Sequence, residues 1–309
     1  MALGSSKVVY VALLGNLGVA ISKFGVAAIT GSAALMAEAF HSSADTANEL
    51  LLLIGQKRSK RPPDEQHPFG HGKALYFWAF IVAMSVFAVG GGLSIYEGVT
   101  RLFSPEPLRN PLWDYIVLGV AALFEGYSWN YSRRELNRRR EPGENLWDVI
   151  HGSKDPSIFS VFIEDSAALL GLLIAFFGVL LSHIFQIPQL DAAASVLIGL
   201  LLCVAAIALG REVGGLLVGE AVDPDELKRF RHIIRTAPHV EAVGDVLTMQ
   251  LGPDEILLVA DVRFADDLGT RDLEGAIDEI EKRVRSHNPA VKRIFFEAES
   301  LKKDQSRAA

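Results

Sequence analysis

The stretch "AEAFHSSADTANELLLLIG", residues 37–55, is apolar enough to lie in a lipid bilayer, yet it carries His41 and Asp45 one helical turn apart. Side chains four apart share a helical face, and Asn48 extends that face three residues beyond Asp45. An ionisable group in hydrocarbon persists when it is paired, holds a metal or does work. Imidazole and carboxylate together suit a divalent transition ion. The same pair also fits a purely structural role, with His41 donating a hydrogen bond to Asp45 or to a neighbouring helix.

The rest of the chain is of the same character. Of its 309 residues, 50% are hydrophobic, and the mean hydropathy is positive. That composition points to a membrane protein. A lone cysteine, Cys203, excludes a disulfide framework, and a net charge of −7 does not suggest nucleic acid as a partner. A hydrocarbon core of ~30 Å needs about 20 apolar residues of helix. Six stretches qualify, at roughly 8–29, 33–55, 75–99, 112–131, 158–183 and 191–210. The first is too long for a signal-peptide core and lacks a clear cleavage site, so it reads as a span. Lys57, Arg58, Lys60, Arg61 and Lys73 follow span two, and Arg133, Arg134, Arg138, Arg139, Arg140 and Lys154 follow span four. The other side offers Arg101 and Arg109. Basic loops stay in the cytoplasm, so both termini are expected there, in a multi-pass protein of a bacterial inner membrane.

Past Arg211 the pattern changes. "DPDELKRFRHIIRTAP" (223–238) offers Asp223 as N-cap, Pro224 at the first helical position and Pro238 as a stop. "VGDVLTMQLG" and "EILLVADVRF" alternate apolar and polar residues around a Pro253–Asp254 turn. Residues 270–289 read as amphipathic helix through Leu273, Ile277, Ile280 and Val284, and "VKRIFFEAE" (291–299) as a closing strand. The expected fold is an α-helical membrane protein: a six-helix transmembrane bundle in 1–211, then a cytoplasmic αββαβ domain in 212–300. That domain is of the ferredoxin or metallochaperone-like α+β kind, and residues 301–309 follow as a flexible tail.

Two further constellations matter. "VFIEDSAALLGLLIAFFG" (161–178) sets Glu164 and Asp165 side by side in span five, and two adjacent acids in lipid call for a cation. With His41 and Asp45 they supply a site between two helices. In "PPDEQHPFGHGKA" (62–74), Asp64, His67 and His71 are spaced three and four apart in a Gly/Pro-rich turn; that spacing suits either a metal or loop-internal hydrogen bonds. Asn16, Lys23, Glu38 and Asp191 line a pathway or pair with one another, structural hydrogen bonding being the plainer role. Glu97 and Glu125 lie near span ends, where hydration is expected. Gly90, Gly91 and Gly92 allow close helix packing.

These residues resemble the cation diffusion facilitator family over nearly the whole chain. "AEAFHSSAD", "HPFGHGKA", "EDSAALLG", "DAAASVLIG" and the small C-terminal domain carry the resemblance. "YFWAF…GGLSIYEG" and the "ED" pair are most similar to the branch that includes zinc transporter nine. The resemblance implies a homodimer whose cytoplasmic domains meet at the two-fold axis, and exchange of a divalent metal for protons. It implies His41, Asp45 and Asp165 as transport-site ligands and Asp64, His67 and His71 as a loop site. The chain departs from the family where zinc-type members carry a second span-five histidine, here Val161. It departs again in the C-terminal domain, where Gly244, Asp261, Glu297 and Glu299 stand at expected zinc-pair positions and read as exposed strand residues. Glu164 is one turn from Val161 and longer than Asp165, so it is the candidate fourth ligand, directly or through water, with Asn16 and Asn48 as pathway-lining candidates.

The cycle this implies has no covalent step and no organic cofactor. Metal displaces protons from His41 and the carboxylates, the bundle turns to the far side, and protons compete for His41, imidazole being the side chain that ordinarily titrates at ~6.5. Zinc is the expected cargo, with Mn, Fe(II), Co and Ni possible. The alternatives are a membrane metal sensor and an intramembrane metallohydrolase, although the chain holds no HExxH signature.

Overall fold

A computed structural model describes residues 2–105, 110–140, 143 and 145–298. The expectations for Arg109, Glu299 and the tail 301–309 lie outside the described residues. The chain divides into two compact units, Met1–Lys60 with Ala74–Gly214, and Arg61–Lys73 with the chain from Gly215 onward.

The first unit is helical. It contains α1 (Ala2–Thr30), α2 (Ala33–Ser59), α3 (Ala74–Phe103), α4 (Leu112–Arg139), the short α5 (Leu146–Gly152), α6 (Pro156–Phe185) and α7 (Gln189–Val218), the last ending just past the unit boundary. Three of these helices, α3, Phe159–Phe185 of α6, and α7, are long and apolar enough to cross a membrane. Asn16–Thr30 of α1 is a shorter apolar stretch, and α2 and α4 are as long as these but carry more charge.

Local chemistry sets the helix ends. α1 stops at Gly31, whose φ of +77° is the left-handed value glycine adopts freely. Ser32 then caps α2, its hydroxyl accepting from the Leu35 nitrogen at 3.1 Å. Asp191 of α7 completes that cap. Its carboxylate accepts from the Ser32 hydroxyl at 2.9 Å and from the nitrogens of Ala33 and Ala34 at 2.5 and 3.4 Å, so its role is structural. Asp155 caps α6 ahead of Pro156, accepting from Ser157 at 3.1 Å. α4 runs to Arg139, so Arg133, Arg134 and Arg138 belong to the helix rather than to a loop. Nothing in "SRRELNRR" breaks a helix, and Arg138 pairs with Glu135 one turn back at 3.2 Å.

α3 contains a π-helical segment, Val86–Gly92, over the glycine run. Gly91 of that run and Gly98, further along α3, face α7. A Cβ at Gly91 would lie 2.6 Å from the Cys203 sulfur, and one at Gly98 would lie 2.7 Å from the Val196 nitrogen. The two backbones approach this closely because no side chains separate them.

The second unit contains α8 (Pro224–Arg235), β1 (Val240–Gly252), β2 (Glu255–Phe264), α9 (Thr270–His287) and β3 (Val291–Ala298). β1 and β2 form an antiparallel hairpin, β2 and β3 pair in parallel, and the sheet order is β1-β2-β3. The parallel pair requires the α9 crossover. Burial along β2 alternates with period two: Ile256, Leu258, Ala260, Val262 and Phe264 point inward. They meet Phe230 and Ile234 of α8 and Ala276, Ile280 and Val284 of α9, with Leu273 and Ile277 partly buried beside them. The αββαβ order and most of its core match the sequence reading. The Arg61–Lys73 segment belongs to this unit. Gly72 lies against Leu251 and Gly252 with no space for a Cβ, and Lys73 donates to the Met249 sulfur at 3.6 Å.

The glycine contacts predict a contrast. Gly98→Ala forces a methyl group against α7 backbone and should lower stability by about 1–3 kcal/mol. Gly92→Ala meets nothing nearer than the Phe87 oxygen at 3.7 Å and should be tolerated. Thermal unfolding of the two detergent-purified variants, followed by size exclusion, compares them.

Candidate metal sites

The polar side chains of the first unit form stripes along α1, α2, α4 and α6. α2 packs against α1, α3 and α6, and α4 against α1 and α6. Along α2 the buried residues include Glu38, His41, Ser42, Asp45, Asn48 and Glu49, a polar stretch with apolar buried residues on either side of it. α6 adds Glu164 and Asp165 on the same buried face, while Val161 is half-buried. α4 adds Glu125, which is buried rather than hydrated as its place near a span end had implied.

Neutral donors from neighbouring helices hold these acids. Asn48 donates to Glu164 at 3.0 Å, tying α2 to α6. Ser128 and Ser132 of α4 donate to Asp165 at 2.8 and 3.4 Å. Asn16 of α1 donates to Glu49 at 3.0 Å. Lys23 pairs with Glu38 at 2.9 Å. His41 Nδ1 and Asp45 Oδ1 stand 3.4 Å apart, an approach that makes no hydrogen bond.

Several ligand-type atoms therefore remain buried and unpartnered among the described residues: both His41 nitrogens, Asp45 Oδ1, Asn48 Oδ1 and Glu49 Oε2. Two turns of one helix thus present imidazole, carboxylate and amide oxygen together. That donor set fits a divalent ion of intermediate hardness. Glu164, Glu125 and Glu49 all act electrostatically on Asp45. The ligand atoms of His41, Asp45, Glu164 and Asp165 nonetheless do not converge as a triplet within 4.8 Å.

Glu49 and Asp114 are buried acids that sequence reasoning missed, and Glu125 is one it placed in a hydrated position. The signal was present. Asp114, Leu118, Ala121, Glu125, Ser132 and Leu136 are all buried, with steps of three, four or seven, so Glu125 sits on the inward stripe of α4. Glu49 is one turn beyond Asp45 on the face already identified.

In the second unit Asp64, His67 and His71 do converge. Among the described residues they are the triplet of metal-ligating side chains whose atoms all lie within 4.8 Å of one another. The turn itself builds this. Asp64 Oδ1 accepts from the backbone nitrogens of His67 at 2.7 Å and Gln66 at 3.1 Å, while Gly70, at φ +89°, donates to the His67 carbonyl at 2.9 Å. The His67 and His71 rings lie 4.3 Å apart. His71 Nδ1 faces the Pro62 carbonyl at 3.2 Å, which makes that nitrogen the donor and assigns the lone pair to Nε2, 3.4 Å from Asp64 Oδ2. The His67 backbone N–H holds the Asp64 carboxyl below its ordinary range, with the two imidazoles adding to the effect. A carboxylate with a lowered pKa keeps its charge, and the turn it anchors, as pH falls through the ordinary carboxylate range.

Among the described residues the remaining candidates do not cluster. Asp261 and Glu297 are register partners on β2 and β3, but Glu297 is exposed and Asp261 half-buried, and neither joins a triplet.

Residues 9–218 match the family model described as the cation efflux transmembrane domain. The chain belongs to the cation efflux family. Its relatives in that family include the mitochondrial proton-coupled zinc antiporter SLC30A9 of Homo sapiens, 34% identical over 87% of this chain and 47% of the relative. Metal tolerance protein C4 of Arabidopsis thaliana is 32% identical over 84% and 57%, and the cation-efflux pump FieF of Serratia proteamaculans is 30% identical over 74% and 71%. The chain spans about half the length of the zinc antiporters it matches. Like them it is a membrane protein, and the efflux-domain match covers the helices that carry the buried carboxylates.

The loop geometry predicts that His67→Ala/His71→Ala removes one zinc equivalent per chain. Asp64→Asn keeps the turn's acceptor but loses its charge, and should weaken that equivalent by about tenfold. Equilibrium dialysis against zinc, read by atomic absorption, measures both.

Proposed function

We propose that this chain is a secondary transporter that exports a divalent transition metal, with zinc as the favoured cargo, from the cytoplasm in exchange for protons. The observation that carries the reading is the imbalance of buried charge. Among the described residues of these helices, the buried acids are Glu38, Asp45, Glu49, Asp114, Glu125, Glu164, Asp165 and Asp191, and the one buried lysine or arginine is Lys23. Uncompensated carboxylates in a low-dielectric interior are unstable, so they must hold cations of some kind. Metal and protons are the two that such side chains accept.

Exchange follows from that requirement. Helices bearing these acids can reorient across lipid only when the charge is neutralised, either by metal or by protons. A carrier that moves in both of those states and in no other couples the two fluxes. His41, Asp45 and Asp165 are the proposed ligands, with Glu164 as the fourth, directly or through water. Asn48 positions Glu164, and Asn16 positions Glu49 at the edge of the cluster. Glutamate in place of a second histidine makes the site harder, which broadens selectivity toward Mn and Fe(II). The names of the human and Serratia relatives, a proton-coupled zinc antiporter and a cation-efflux pump, agree with this reading.

In the same reading the long helices α1, α2, α3, α4, α6 and α7 make six spans, with both termini on the cytoplasmic side where the lysines and arginines collect. The unit from Gly215 onward, together with the Arg61–Lys73 segment, is the cytoplasmic domain. It supports a homodimer through the sheet face that its helices leave bare. Leu247, Val259 and Phe295 form one cross-strand row there, Leu247 at 63% exposure and Phe295 at 51%.

Flux in proteoliposomes with a set pH gradient tests the proposal. His41→Ala and Asp45→Ala should each reduce zinc-driven proton movement to background while the protein stays folded; near-normal flux in either rejects the site. Glu164→Gln and Asp165→Asn separate the two span-five acids. If Glu164 is a ligand, both variants lose zinc binding, and Val161→His in a Glu164→Ala background restores transport with zinc preferred over manganese. If Glu164→Gln transports like the parent while Asp165→Asn fails, Glu164 is not a ligand.

A further inference from the structure

Lys23 is fully buried, and so is its partner Glu38. A lysine in a membrane helix ordinarily extends toward the interface. This one turns inward, donating to Glu38 Oε2 at 2.9 Å and to the Ser42 hydroxyl at 2.8 Å. Ser42 follows His41 in the chain, so the ammonium lies beside the turn of α2 that carries His41 and Asp45. The ammonium thus belongs to the electrostatic neighbourhood of the proposed cargo ligands. Glu38 is held for this pairing. Its Oε1 has no hydrogen-bond partner and rests on Gly171 of α6, where a Cβ would collide with it. An α6 residue larger than glycine would push Glu38 out of its place.

We propose that Lys23 is a resident cation of the cargo site and that Glu38 holds it in check, so that this pair sets the affinity with which the site takes a divalent ion. The inference rests on the transporter reading above. As built, the pair is neutral and lets the remaining acids attract cargo. If Glu38 loses its charge, Lys23 becomes a free positive charge among those acids and competes with the metal. If both charges are removed, neutrality returns. A pair that only fastens α1 to α2 behaves differently, because the double variant is then no better than the single.

The test is zinc affinity of the full chain in detergent, by competition with a chelating indicator. The background is Asp64→Ala/His67→Ala/His71→Ala, which removes the loop triplet. Glu38→Gln should weaken zinc binding by about tenfold or more, since a unit charge at an effective dielectric of ~20 acts strongly over several ångströms. Glu38→Gln/Lys23→Gln should return to within about threefold of the background. Lys23→Gln alone should bind as tightly as the background or more tightly. Unchanged binding in Glu38→Gln, or a double variant as weak as the single, overturns the inference. If Glu38→Gln does not fold, the other two variants decide: a tenfold loss in either overturns it, and retained affinity in both upholds it. An Asp45→Asn arm identifies the site being measured. If that variant binds zinc like the background, the cargo-site reading itself fails, and the inference with it.

Discussion

Carboxylates outnumber ammonium groups inside a set of apolar helices, and the rest of the first unit is arranged around that excess. Lys23 answers one acid, Glu38. Amide and hydroxyl groups answer others only in part: Asn48 at Glu164, Ser128 and Ser132 at Asp165, Asn16 at Glu49. A neutral donor stabilises a carboxylate without cancelling its charge, so the cluster keeps its demand for cations. This explains why α2 and α4 are less apolar than α3, α6 and α7, although all are of similar length.

A buried charge cluster needs rigid walls, because a shift of one helix would leave several acids unanswered at once. Two devices supply them. Asp191 reaches from α7 to the first turn of α2 and satisfies nitrogens that the helix itself leaves free. The glycines of α3 and α7 bring those two helices to near backbone contact. Gly171 of α6 works at smaller scale, leaving room for the Glu38 carboxylate. Each device lies outside the ligand set, yet each decides where a ligand-bearing helix can sit.

The loop triplet in the second unit follows a different logic. Its ligands converge because a short turn, closed by Asp64 and Gly70, folds them together at the surface. The cluster in the first unit is spread over four helices and presents unpartnered atoms on α2 without closing into a triplet. A preformed exposed turn and an open buried cluster suit different work: the first can hold a metal in place, and the second can let one pass.

The sequence by itself determined the membrane character, the αββαβ order and the inward faces of β2 and α9, and it marked His41, Asp45, Asp165 and Glu164 as the imidazole and acids that stand out in the apolar helices. These are legible because they depend on local quantities: periodicity, caps, turn chemistry and the high cost of a charge in lipid. The Asp64, His67 and His71 triplet was legible for the same reason, its geometry being made within one turn. Only the tertiary structure decided which acid each donor serves. It chose pairing over pathway lining for Lys23 and Glu38, set Asp191 on the start of α2, buried Glu125, and grouped the Arg61–Lys73 segment with the second unit. Each of those outcomes depends on which surfaces are brought together across distances of up to 176 residues along the chain. Helical spacing tells which side chains share a face, but the partner opposite that face is chosen by packing, which no single segment encodes.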